Sequence, residues 1–215
     1  MLVLASASPR RQELLRNAGI AFVVAPTDIP EVPQPHELPK DFVERLACEK
    51  ARVIARQYTD ALVLGADTTV VVGEEILNKP ADAEDARRML RKLSGRTHQV
   101  MTGVCLITPQ AMRLGAEPRT ENRELRTEVV RSETTLVTFD RLTDNDIDFY
   151  VRTGEPMDKA GAYAIQGIAS RWISRIEGDY TNVVGLPVAP VYRMLHEMGF
   201  TPESLNPPSQ HQCWP

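Results

Sequence analysis

Apolar residues follow two rhythms along this chain. Short unbroken apolar runs alternate with stretches in which apolar side chains return every three or four positions, the patterns of buried strands and of helices packed on them. Leu2–Leu4 is the first run. Ser8 then offers an N-cap, Pro9 stands at the first helical position, where a missing N–H costs nothing, and Gly19 follows the helix end. Residues 21–24 predict a second short strand. A rigid connection follows, built on Pro26, Pro30, Pro33, Pro35 and Pro39 and carrying Asp28 and Glu31. From about Asp41, with Glu44 as its capping-box partner, a helix is predicted to run to Tyr58. Phe42, Leu46, Lys50 and Ile54 share one of its faces, which puts an ammonium on an apolar stripe.

Residues 61–66 read as a strand buried on both faces that delivers Asp67 at its end. Residues 69–72 and 75–77 read as a hairpin around Gly73-Glu74, followed by Asn78-Lys79-Pro80. A third helix starts at Asp82, turns Ala86, Met89, Leu90 and Leu93 inward and stops at Gly95. Residues 100–107 and 134–139 predict strands separated by a polar insertion at 109–132, expected to be a mobile loop. Thr143 caps a fourth helix that ends at Gly154. A Gly-rich passage to Gly167, strands near 172–176 and 183–184, and a last helix over 187–198 complete the pattern. The tail, 201–215, has four prolines and no apolar period. Alternating strands and helices predict one α/β domain over residues 1–200.

Composition narrows the function classes. The chain has 215 residues, 42% of them hydrophobic, and a net charge of −4, so it lacks the broad basic surface that nucleic acid requires. A polyphosphate would have to be held by a local cluster of cations. Three cysteines without C-x-x-C spacing fit a reducing cytosol. Neither a signal-peptide order nor a membrane-length apolar run is present.

The opening decapeptide concentrates the chemistry. A helix N-terminus favours anions, and its dipole disfavours the cations Arg10 and Arg11 unless something negative binds there. Lys50 and Lys79 are two further cations for a phosphate chain. Asp67 is the principal carboxylate, suited equally to holding a divalent metal and to taking a proton from water. Glu31, and with less support Asp28, would add an oxygen ligand, although Pro30 interrupts that segment. Gln166 offers a donor and an acceptor suited to a pyrimidine edge, or to satisfying loop backbone. Lys159 and Tyr163 have no assigned role, and His98, with no ligand partner four residues on, is read as structural.

In order, Ser6-Ala-Ser-Pro-Arg-Arg11, Leu64-Gly-Ala-Asp-Thr-Thr69, Lys79-Pro80, Leu93-Ser-Gly-Arg-Thr-His98, Glu155-Pro156 with Asp158-Lys-Ala-Gly-Ala-Tyr163, and Gly185-Leu-Pro187 resemble the Maf family of nucleotide pyrophosphatases, also called septum-formation inhibitors. The resemblance spans residues 2–199. It implies a Maf-like domain with a central mixed β-sheet flanked by helices and a phosphate-binding cleft. It also implies hydrolysis of a nucleoside triphosphate between its α- and β-phosphates, a divalent metal (Mg²⁺, Mn²⁺ or Co²⁺) and a homodimer. The segment from Asp158 to Gly167 resembles the branch acting on dTTP and UTP. By the family pattern Asp67 is the proton acceptor, Arg10, Thr68 and Gln166 bear on substrate choice, and Ser8, Arg11, Glu31, Lys50 and Lys79 surround phosphate and metal. Ala164 departs from the glycine common before Ile-Gln, and the 109–132 segment exceeds the usual length. The alternatives are a 7-methyl-GTP or other modified-purine pyrophosphatase, and a nucleotide-sensing protein that regulates cell division through protein contacts.

Overall fold

A computed structural model describes residues 1–109 and 127–200. The elements are β1 (Leu2–Leu4), α1 (Pro9–Asn17), β2 (Val23–Val24), α2 (Pro39–Ala55), β3 (Leu62–Val72), β4 (Glu75–Leu77), α3 (Ala83–Leu93), β5 (Thr97–Ile107), β6 (Glu128–Phe139), α4 (Asp144–Arg152), β7 (Ile173–Glu177), α5 (Tyr180–Val184) and α6 (Val188–Glu197). Three 3₁₀ turns, Glu155–Asp158, Ala160–Ala162 and Ile168–Trp172, join α4 to β7. The strands form one mixed sheet in the order β2-β1-β3-β5-β6-β7, with β4 also on β3. β1 runs parallel to β2 and β3, and the remaining pairs are antiparallel.

The β3 alternation assigns one face to each helical layer. Leu62, Leu64 and Ala66 pack with Leu2, Leu4, Leu15, Leu186 and Val191, whereas Val63 packs with Ala47, Ala51 and Ile54 of α2. Two glycines let α2 lie directly on the sheet. A Cβ on Gly65 would stand 2.1 Å from the Ala47 carbonyl oxygen, and one on Gly103 would stand 2.3 Å from that of Val43. This approach brings Lys50 down to β3.

Capping explains where several helices begin. Ser8, Asp82 and Thr143 accept from the amides of Arg11, Asp85 and Asp146, and Thr143 with Asp146 forms a full capping box. Helix α2 differs from expectation. It starts two residues earlier, at Pro39, its N-cap Leu38 offers no side-chain bond, and Glu44 instead accepts from Ser132 Oγ at 2.6 Å. The fixed φ of Pro39 and the acidic Asp41 in the first turn stand in for the box.

Four further expectations are corrected. The second strand is confined to Val23–Val24. Asp67 lies inside a continuous strand rather than at its end, because β5 pairs with β3 from Val63 to Val71 and carries it through the polar Asp67-Thr68-Thr69 step. The far end of the expected insertion is strand, since residues 128–132 pair with β5; residues 110–126 of it, and the tail from 201, lie outside the described residues. Finally, Val183-Val184 is helical, because Asp179 caps Thr181 and Asn182 and opens α5 there.

Candidate active site

Strand lengths create the site. β1 covers the edge of β3 only from Leu62 to Leu64, and β4 resumes pairing at Val70. Between them the edge at Gly65–Thr69 has no strand neighbour, so side chains from both faces of β3 reach a common opening. Ligands gather where a parallel strand stops, and the strand that stops here is β1. A cleft of about 440 Å³ occupies the gap, lined by Ser6, Ser8, Arg10 and Arg11 after β1, Asp67 and Thr68 on β3, Asn78 and Lys79 after β4, and Gln166 beyond α4. Its volume suits a small organic ligand.

On the α2 side an ionic chain crosses the cleft. Lys50 Nζ donates to Asp67 Oδ1 and to Glu31 Oε1, each at 2.6 Å, and Lys79 Nζ donates to Glu31 Oε2 at 3.0 Å. Lys50 and Asp67 are buried, whereas Lys79 is exposed. Burial raises the pKa of Asp67 above the usual carboxylate value, against the pull of Lys50 and Arg11. Burial also opposes ionisation of Glu31, but Lys50 and Lys79 outweigh it and hold that carboxyl at about 2. The Pro-rich approach therefore does not keep Glu31 from the site.

On the opposite side Arg11 is buried at the foot of α1. Its Nε donates to the Gly185 carbonyl at 2.8 Å, and its terminal nitrogens donate to Ser6 Oγ and Thr68 Oγ1, each at 3.1 Å. These partners are all neutral, and among the described residues Arg11 has no ion pair. Burial lowers its pKa. Three of its five N–H groups are used, which leaves one donor on each terminal nitrogen for an anion in the cleft. Thr68 is fixed in turn by Thr102 Oγ1 at 2.9 Å. Ser8, by contrast, already uses its hydroxyl as the cap of α1.

Arg10 points elsewhere. It pairs with Asp158 at 3.3 Å, on the segment that leads to Gln166, whereas Arg11 turns to Ser6, Thr68 and Gly185. Gln166 is exposed at the cleft, and its amide has no partner among the described residues. Lys159 is tied to the Glu155 carbonyl at 2.6 Å and to Asp158 at 2.5 Å. His98 is buried, bonded to Tyr163 Oη at 2.8 Å and edge-on to Phe139, in keeping with a structural residue. Ser6, which shares the Ser-Ala-Ser-Pro step with Ser8, joins the site unexpectedly through Arg11. The Gly185 carbonyl, Thr102 and Asp158 are further members that the sequence does not single out; of these only Asp158 carries a signal, as a carboxylate beside Lys159.

The donor set fits a hard divalent cation. Asp67 and Glu31 are carboxylates gathered around one ammonium, and Asp67 Oδ2 makes no hydrogen bond among the described residues. A second group, Cys48, Cys105 and Glu128, has ligand atoms within 4.8 Å of one another. None of the three lines the cleft, and Arg52 already binds both oxygens of Glu128. Among the described residues, no helix is long and apolar enough to cross a membrane.

Fold and site together define an α/β protein with a cleft in which a buried carboxylate faces two cations. Its sequence matches the Maf-like protein family over residues 1–198, and the chain belongs to that family. It is 52% identical over 198 residues to a protein of Koribacter versatilis named dTTP/UTP pyrophosphatase, covering 92% of this chain and 94% of that one. A protein of the same name from Symbiobacterium thermophilum is 51% identical over 199 residues, 93% of this chain and 94% of the relative. A solved HAM1 protein from Coxiella burnetii overlaps 77% of this chain and 87% of its own at 18% identity and a TM-score of 0.42, too loose a likeness to carry an argument.

Proposed function

We propose that this chain hydrolyses dTTP, UTP or a related pyrimidine nucleoside triphosphate to the monophosphate and pyrophosphate. One observation carries the reading: Arg11 is buried with no direct ion pair among the described residues and with two N–H groups unspent, in the same cleft as the Lys50–Asp67 pair. A bound polyphosphate takes up those two donors and gives Arg11 a direct ionic partner. The relatives at about half identity, both named for dTTP and UTP, support the substrate class.

In the proposed reaction a water oxygen attacks the α-phosphorus in line with the α,β-bridging oxygen. The water proton passes to the Asp67 carboxylate, the bridging P–O bond breaks, and pyrophosphate leaves with that electron pair. Lys50 opposes the burial that raises the Asp67 pKa and holds Oδ1, so that Oδ2 is the proton acceptor. Arg11 and Lys79 spread the charge of the phosphate chain. Arg10, near Asp158, and Gln166 face the nucleoside end, where the Gln166 amide can meet both the donor and the acceptor of a pyrimidine edge. A divalent cation (Mg²⁺, Mn²⁺ or Co²⁺) would be held by the Asp67 and Glu31 carboxylates and would supply charge neutralisation.

The test is a panel of pyrimidine, purine and 7-methylated purine triphosphates with each metal in turn, pyrophosphate and orthophosphate being read separately. A higher kcat/KM for dTTP and UTP, with pyrophosphate as first product, is the expected result. Preference for 7-methyl-GTP overturns the base assignment. Cys48 and Cys105 are free thiols, in keeping with the cytosol. A homodimer completes the proposal, and sedimentation reads it directly.

A further inference from the structure

Gln166 sits on a short segment whose two flanking amides are both anchored, and both anchors lead to the same pair of side chains. The Ala164 N–H donates to Tyr150 Oη at 3.0 Å, and the Ile168 N–H donates to the Glu155 carboxylate at 3.1 Å from Oε1 and 3.3 Å from Oε2. Tyr150 Oη donates in turn to Glu155 Oε1 at 2.7 Å, which closes the circuit. Tyr150 is fully buried on α4, and its ring meets Trp172 edge-on with centroids 5.6 Å apart. Glu155 is itself placed by Lys159, which binds its carbonyl. The backbone at Gly167 lies against this carboxylate so closely that a Cβ there would stand 2.2 Å from Oε1.

We propose that Glu155 and Tyr150 form a clamp that positions Gln166 for base selection. The inference rests on the reading of Gln166 given under Proposed function. Neither clamp residue lines the cleft, so neither touches the nucleotide; both act through the loop. A polar side chain selects a base only if its donor and acceptor are held to a fraction of an ångström, and an exposed glutamine on an unanchored loop would lose that registration. The clamp provides it without occupying the cleft. It also accounts for two neighbouring residues, since Gly167 is the residue that leaves room for the carboxylate and Trp172 braces the tyrosine ring.

The test compares Glu155→Ala, Glu155→Gln and Tyr150→Phe with wild type by the ratio of kcat/KM for UTP to that for GTP. Glu155→Ala is expected to lower the ratio about tenfold or more, chiefly through KM for UTP. Glu155→Gln, whose amide oxygen still accepts from Ile168, is expected to restore most of it. An unchanged ratio in Glu155→Ala, or a Gln variant as impaired as the Ala variant, overturns positioning by hydrogen bonds. On a Gln166→Ala background, Glu155→Ala is expected to add little, and a full additional loss contradicts a shared route. Amide hydrogen exchange gives a readout free of activity. Exchange at Ala164 and Ile168 should quicken in Tyr150→Phe and Glu155→Ala while the α2 core stays protected, and unchanged exchange refutes the clamp. Absence of any pyrimidine preference in the wild type defeats the substrate reading alone, and the exchange result then decides the clamp.

Discussion

Lys50 Nζ lies 2.6 Å from Asp67 Oδ1, and both side chains are buried where β3 loses its parallel neighbour. An apolar helix face would not ordinarily carry an ammonium. Here the same ammonium is the chief charge opposing the burial that raises the carboxyl's pKa. Removing one member of a buried pair leaves the other uncompensated, so Lys50→Met is expected to cost about 3 kcal/mol or more in urea unfolding at neutral pH.

The pH–rate profile provides a second check. Because burial raises the Asp67 pKa, hydrolysis should fail on acidification at a pH above the ordinary aspartate value of 3.8. Lys50→Met should move that acid limb to still higher pH, since the chief opposing charge is gone. A limb that stays in place in the variant would show that another group governs the proton transfer.

Arg11→Lys keeps the charge but loses the fork. A lysine ammonium cannot span Ser6, Thr68 and the Gly185 carbonyl together, so about 2 kcal/mol of stability should be lost. KM for the triphosphate should rise more than tenfold. Steady-state kinetics alongside thermal unfolding separates the two effects.

His98 links the core to acid stability. Burial lowers its pKa from 6.5 to about 4. The unfolded imidazole takes up a proton near pH 6.5 and the folded one only near 4, so acidification favours the unfolded chain between those values. Stability is complete above 6.5, declines through this window, and below 4 shows no further loss from this group. The loss is about 3 kcal/mol at most, and His98→Gln should flatten that part of the denaturation curve measured between pH 7 and 4.

Gly103→Ala tests the seat of α2. A Cβ there meets the Val43 backbone at 2.3 Å, and backbone cannot rotate aside, so the helix must lift and carry Lys50 with it. A cost of about 3 kcal/mol is expected, with lower activity at temperatures where the variant is folded.

Local signals were legible and nonlocal ones were not. Ser8-Pro9, Asp82 and Thr143 start helices through contacts within three residues, so the sequence alone locates them. Lys50 was marked by its place on an apolar face, and α2 indeed delivers it to the cleft. The continuity of β3 through Asp67 depends on pairing with β5, far along the chain, and no window around Asp67 contains that information. Residues 128–132, in which Glu128 and Arg131 flank two valines, concealed a strand for the same reason, since their pairing partners are residues 103–107. Of the site, the cations and Asp67 were recognisable as residue types at motif spacing. The carbonyl of Gly185 and the clamp of Tyr150 and Glu155 act through geometry, which leaves no compositional trace.

The most direct measurement is pyrophosphate release from UTP by wild type and Asp67→Asn, with folding of the variant verified by a cooperative thermal transition above the assay temperature. If Asp67 accepts the proton of the attacking water, the wild type yields UMP and pyrophosphate without orthophosphate as a first product, and Asp67→Asn loses roughly a thousandfold in kcat. Near-wild-type turnover in a folded Asp67→Asn, or orthophosphate as the direct product of the wild type, would contradict it.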